Sequence, residues 1–198
     1  GISAAMAADI SVTGDQATSL IMALTSTVGT TDTYGLTLDH ATADTDVDIL
    51  DMQIAGAETL NVVSNGTVTV GNQNSIQFGA ENTSLKAITI TGSSEFGMTM
   101  DGASEAFTVA VAVDASGLTA ASTLNLTGNT TAETISGGTK VDTITGGSGA
   151  TTTDAGAGAD TINVTSDVDT ITTGAGSDTI AFATLSANAT DKAVIVDF

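Results

Sequence analysis

Three aspartates, Asp142, Asp160 and Asp178, fall 18 residues apart, and each closes a six-residue turn: GGTKVD (137–142), AGAGAD (155–160) and TGAGSD (173–178). Carboxylates are hard oxygen ligands, and glycine-rich turns leave backbone carbonyls exposed as further ones. Oxygen donors in that number suit calcium, which takes six to eight of them. The chemistry on offer is chelation. Bond-making chemistry has little to work with. His40 is the only histidine and cysteine is absent, so a catalytic zinc lacks its ligands. No nucleophile elbow surrounds a serine, and AGAGAD lacks the Lys-Ser/Thr ending of a phosphate loop. No catalytic residue is assigned, and the chain is read as non-enzymatic.

The elements that must position these aspartates follow from a repeat. From Ala132 the chain divides into nine-residue units: AETISGGTK, VDTITGGSG, ATTTDAGAG, ADTINVTSD, VDTITTGAG and SDTIAFATL. Each reads as a short strand with an inward isoleucine followed by a turn. Two units make one flattened coil, so residues 18 apart stack about 4.8 Å from each other. One edge then carries Asp142, Asp160 and Asp178, and the other carries Glu133, Thr151 and Asp169. Stacked carboxylates repel by roughly 3 kcal/mol per pair at an effective dielectric of about 20. With three lysines and no arginine in the chain, a divalent cation between coils is the means of relief.

These turns resemble the RTX (repeats-in-toxin) nonapeptide, G-G-x-G-x-D-x-hydrophobic-x, whose family folds as a calcium-binding parallel β-roll. The resemblance covers about residues 128–185. It implies one calcium site between Asp142 and Asp160 and a second between Asp160 and Asp178, with the carbonyls of Gly137, Gly138, Gly156, Gly158, Gly174 and Gly176 as further ligands. Lys140 stands where the family has glycine. The opposite edge departs from the pattern in its turns GNTTAE (128–133), GGSGAT (146–151) and VTSDVD (164–169). Thr151 replaces a ligand there and Thr153 replaces an inward isoleucine, which leaves Asp167 and Asp169 for a weaker ion.

Upstream, short alternating strands recur without the nine-residue phase: 59–64, 67–71, 87–92, 97–102, 107–117 and 123–128, each ending on a turn residue. The similar phrases at 59–62, 87–90 and 123–126 suggest larger coils of 28 and 36 residues. TSLIMALTS (18–26) and TLSANATDK (184–192) are expected to add a helical turn or two. The fold class is therefore all-β, a right-handed parallel β-solenoid (1–127) continuing into a calcium-binding RTX β-roll and exit strand (128–198). Asp44, Asp46 and Asp48 share one strand face, as an acidic surface or a non-repeat calcium site, and Asp101 and Asp114 read as turn residues.

A formal charge of −20 argues against nucleic acid as a partner, since phosphate binding needs clustered Lys and Arg. No run is long enough for a transmembrane helix. The chain opens without a secretory signal and stops within a strand, which reads as a fragment of a longer protein. The threonine- and glycine-rich upstream part followed by RTX repeats is similar to bacterial surface-layer (S-layer) proteins of the type I-secreted kind. That resemblance implies an extracellular structural component of a bacterial cell surface, with copies of itself, calcium ions and the type I secretion machinery as partners. A stalk or binding module of an RTX adhesin is the alternative, and the C-terminal RTX part of a secreted hydrolase is a third.

Overall fold

A computed structural model describes residues 9–13, 18–23, 32–40, 47–66, 73–79, 82, 84–100, 107, 109–127, 129–165, 168–182 and 192–197. Among them every regular element is a strand. One sheet stacks nine: β1 (Asp9–Thr13), β3 (Thr33–His40), β5 (Thr59–Gly66), β7 (Ala87–Gly92), β9 (Val111–Leu118), β11 (Glu133–Ser136), β13 (Thr151–Asp154), β16 (Val168–Thr172) and β19 (Lys192–Ile195). The second sheet stacks eight: β2 (Thr18–Ala23), β4 (Asp48–Ala55), β6 (Gln73–Phe78), β8 (Glu95–Met100), β10 (Ser122–Asn125), β12 (Asp142–Thr145), β15 (Thr161–Val164) and β18 (Thr179–Phe182). A short pair, β14 (Ala157–Gly158) and β17 (Ala175–Gly176), ties two turns together. Neighbouring strands are parallel, and the chain alternates between the two large sheets. The architecture is a parallel β-solenoid.

Alternation explains why these segments become strands. In β5, Leu60 and Val62 are buried, and in β7 Ile88 and Ile90, while Asn61 and Thr89 face outward. The second sheet contributes Ile76, Phe78, Phe96, Met98 and Met100 to the same core. In the repeats the inward layer thins to Ile135, Ile144, Ile162 and Ile171, each at most 2 % exposed. Burying one such side chain is worth about 1.5–3 kcal/mol, but no coil can do so without its neighbours.

The register gives the coil lengths. Thr33 pairs with Thr59 and Thr59 with Ala87, coils of 26 and 28 residues. Glu133 pairs with Thr151 and Thr161 with Thr179, coils of 18. The 28-residue spacing of the sequence phrases is thus one true coil. The 36-residue spacing is not, because Ala87–Gly92 and Ser122–Asn125 belong to different sheets. Of the helical segment expected at 18–26, Thr18–Ala23 is instead a strand paired with β4, Leu20 opposite Met52, and 24–26 lie outside the described residues. Of the second expected helical segment, all but Lys192 lies outside the described residues, and Lys192 opens β19.

One device recurs where a turn enters a strand. There the backbone N–H of one coil is capped by a side-chain oxygen from the next. Asp32 N–H donates to Glu58 Oε2 at 2.8 Å, Val47 N–H to Asn74 Oδ1 at 3.2 Å and Ser122 N–H to Asp142 Oδ1 at 2.7 Å. Each cap satisfies a donor that the sheet ladder leaves over.

Candidate metal centre

Strands β10, β12, β15 and β18 set the first column. Ser122 pairs with Asp142, and the ladders β12–β15 and β15–β18 carry the same register on, so Asp142, Asp160 and Asp178 stand at one edge in three successive coils. The expected stacking is present. Each carboxylate also performs the capping just described: Asp142 N–H donates to Asp160 Oδ1 at 2.8 Å, and Asp160 N–H to Asp178 Oδ1 at 3.0 Å. Asp142 Oδ2 accepts the Gly138 N–H at 2.7 Å. The column is therefore held together by backbone donors as well as pushed apart by charge, a feature that spacing alone did not reveal.

Asp160 sits in the middle and is 1 % exposed. Burial pushes its carboxyl above the usual range, with the charges of Asp142 and Asp178 adding to the rise and the Asp142 N–H opposing it. Its Oδ2 is buried and has no hydrogen-bond partner. A buried carboxylate oxygen without a partner is costly to leave so, and a cation is one way to satisfy it.

The glycine turns supply oxygens beside this column. The Gly138 carbonyl accepts the Ala157 N–H at 3.1 Å, and the Gly156 carbonyl accepts the Ala175 N–H at 2.9 Å. These bonds stack turn on turn. At Gly156 (φ 92°) a side chain would strike the Gly138 carbonyl and come within 3.4 Å of the Gly137 carbonyl; at Gly174 (φ 84°) it would strike the Gly156 carbonyl. The Gly158 carbonyl faces Gly176 in the same way, and the Lys140 carbonyl faces Gly158. Lys140 thus presents its backbone oxygen where the family has a glycine carbonyl. Of the sequence-derived candidates, Gly137, Gly138, Gly156, Gly158, Gly174 and Gly176 all fall in three stacked turns with Asp142, Asp160 and Asp178. The donor set, carboxylates plus carbonyls around an unpartnered buried oxygen, fits calcium.

The opposite edge carries Glu133, Thr151 and Asp169 in register. Thr151 N–H donates to Asp169 Oδ1 at 3.0 Å, and the Thr151 hydroxyl donates to Glu133 Oε2 at 2.7 Å. Burial raises the Glu133 carboxyl to about 7; the bonds from Thr151 and Gly147 oppose the rise and the charge of Asp169 adds to it. Asp169 is 5 % exposed, while Asp167 lies outside the described residues, as do Asp44, Asp46 and Asp101. Asp48 accepts the Ser75 hydroxyl, and Asp114 accepts the Ser116 N–H and hydroxyl, both structural roles.

The register extends this second column upstream, a continuation that sequence reasoning missed. Through β11, β9, β7, β5 and β3 the places equivalent to Glu133 are Val111, Lys86, Glu58 and Asp32. Asp32 is 4 % exposed and its Oδ2 is buried without a hydrogen-bond partner. The missed signal is an acid immediately before a strand, hidden by unequal coil lengths.

Residues 127–162 and 154–182 match the family model described as the RTX calcium-binding nonapeptide repeat (4 copies). This segment is an RTX repeat array. RTX repeats bind calcium and mark secreted proteins, and here they form the roll of 18-residue coils. No curated protein and no solved structure matches the chain.

Proposed function

We propose that this chain is a non-catalytic structural segment of a calcium-stabilised S-layer, exported by type I secretion and tiling with copies of itself on a bacterial surface. In this reading calcium ions sit between Asp142 and Asp160 and between Asp160 and Asp178, with carbonyls of the stacked glycine turns completing their shells. The observation that carries the reading is the buried, unpartnered Oδ2 of Asp160, flanked by the like charges of Asp142 and Asp178 in a roll whose two sheets run on into the upstream coils. Where calcium is scarce, as in the cytoplasm, the column opposes folding and the repeats stay threadable. Outside, calcium at 100 times its Kd adds about 2.7 kcal/mol per site. Order then spreads between coils that touch only their neighbours.

The test is assembly. Purified chain in millimolar calcium forms ordered sheets visible by electron microscopy and disperses with chelator. Soluble monomers at high protein concentration would instead favour the adhesin stalk, which uses the same stiff rod without tiling.

A further inference from the structure

The three lysines of a chain with 23 acidic residues are all exposed, and none makes an ion pair among the described residues. Two of them share an edge of the solenoid. Lys86 follows Glu58 in the second column, but the Glu58 carboxylate is engaged by the Asp32 N–H of the preceding coil. Lys192 opens β19 opposite Val168. Five strand spacings lie between their coils, roughly 24 Å along the axis. In that interval the register stacks Ala110, Ala132, Ala150 and Val168, each one place before the column and each exposed, Val168 to 45 %. Beside this ridge Ala112, Thr134 and Thr152 stack outward, and the two lines border a groove of about 410 Å³ with Lys86 at its upstream end. The acids behind the ridge, Glu133 and Asp169, are only 3 % and 5 % exposed. On a chain of net charge −20 this edge is a strip of apolar and hydroxyl groups bracketed by unpaired positive charge.

We propose that this strip is a contact face for a second copy of the chain. The inference rests on the reading of the protein as one that tiles, and it names a surface through which the copies meet. Like charge keeps acidic copies apart elsewhere. Here two ammonium groups face the acidic neighbour while the alanines and Val168 leave water. Strip against strip would set lysine against lysine. The contact is therefore heterologous: the strip of one copy receives the carboxylate-bearing surface of the next, where Asp39 and Asp154 stand exposed at the far ends of strands in the same sheet. A heterologous contact that does not close repeats from copy to copy, as a lattice needs.

Electron microscopy of the 198-residue chain in millimolar calcium tests it, with circular dichroism to show that each variant is folded. Lys86→Glu reverses one bracket and Ala132→Glu puts a carboxylate in mid-ridge; both should lose the sheets that wild type forms. Thr123→Glu adds the same charge as Ala132→Glu at an exposed place on the second sheet and should keep them. Lys86 is exposed, so its variant remains informative if Ala132→Glu does not fold. If folded Lys86→Glu or Ala132→Glu tiles like wild type, or if Thr123→Glu fails as they do, this face is overturned while tiling stands. If wild type forms no sheets, the tiling reading fails and this contact with it.

Discussion

Asp160 has two jobs that substitutions can separate. Its Oδ1 caps the Asp142 N–H, and its Oδ2 is the buried oxygen left for an ion. Asparagine keeps the cap and removes the charge, whereas alanine removes both. In chelator, Asp160→Asn should be at least as stable as wild type, because burial and two neighbouring charges already penalise the ionised form. Asp160→Ala should be less stable by about 0.5–2 kcal/mol, the usual cost of a lost cap. In calcium both variants should lose most of the calcium-induced rise in urea midpoint. Equal calcium responses in wild type and Asp160→Asn would remove the shared-ligand role. A second prediction concerns pH. The Glu133 carboxyl rises from an ordinary 4.5 to about 7 in the fold, so the folded roll holds a proton that the unfolded chain has released. Its stabilising contribution is complete below pH 4.5 and is lost as pH rises through 7. Calcium-free chain should unfold at lower urea at pH 8 than at pH 5, and Glu133→Gln should flatten that slope. The sequence made the aspartate column readable because a constant 18-residue phase needs no structure to count. The caps and the bonds that Glu133 accepts from Thr151 and Gly147 depend on which atoms face each other across coils, and no spacing rule encodes that.

At the scale of elements, the turns and the isoleucine layer make opposite demands. Gly156 has a φ of 92° and faces the Gly138 carbonyl of the preceding coil. Gly156→Ala meets both a disfavoured backbone conformation and a clash with backbone that cannot yield, so it should cost at least about 1–3 kcal/mol. The expected readout is a lower melting temperature with or without calcium. Thr153 is the reverse case. It occupies an isoleucine place between Ile135 and Ile171, 4 % exposed, beside a cavity of about 10 Å³ lined in part by Ile162 and Ile171. Thr153→Val keeps the shape and removes a buried hydroxyl, and should raise stability by about 1 kcal/mol. A lower melting temperature would show that the hydroxyl has a structural task. Most strands could be read from their alternation, including 59–64, 87–92 and 123–128. Thr18–Ala23 could not, because TSLIMA suits either period and its pairing with β4 decides the matter; helix propensity is only a weak prior against such pairing.

Across the whole molecule the two segments share continuous sheets yet differ in what holds them. The upstream coils bury Tyr34, Phe78 and Phe96 with several leucines and isoleucines, and Phe78 packs edge-on against Phe107 with ring centroids 5.5 Å apart. The repeats bury a single thin isoleucine layer and a column of acids. Solenoid stability is nearly a sum of coil and interface terms, so the balance should differ along one rod. Chelation should therefore unfold the repeats first. In hydrogen exchange with chelator, peptides from 133–182 should lose protection while those from 33–66 and 84–100 retain it. Restoring calcium should return protection outward from the junction with β8 and β10, where the upstream core offers a template. Uniform loss along the chain would mean that the upstream coils cannot stand without the roll, and that calcium governs the entire rod. The change from 28-residue to 18-residue coils was visible in the sequence as the onset of a strict phase. The unbroken passage of both sheets through that change was not, because it depends on pairing across the junction, β8 to β10 and β9 to β11, where neither period applies.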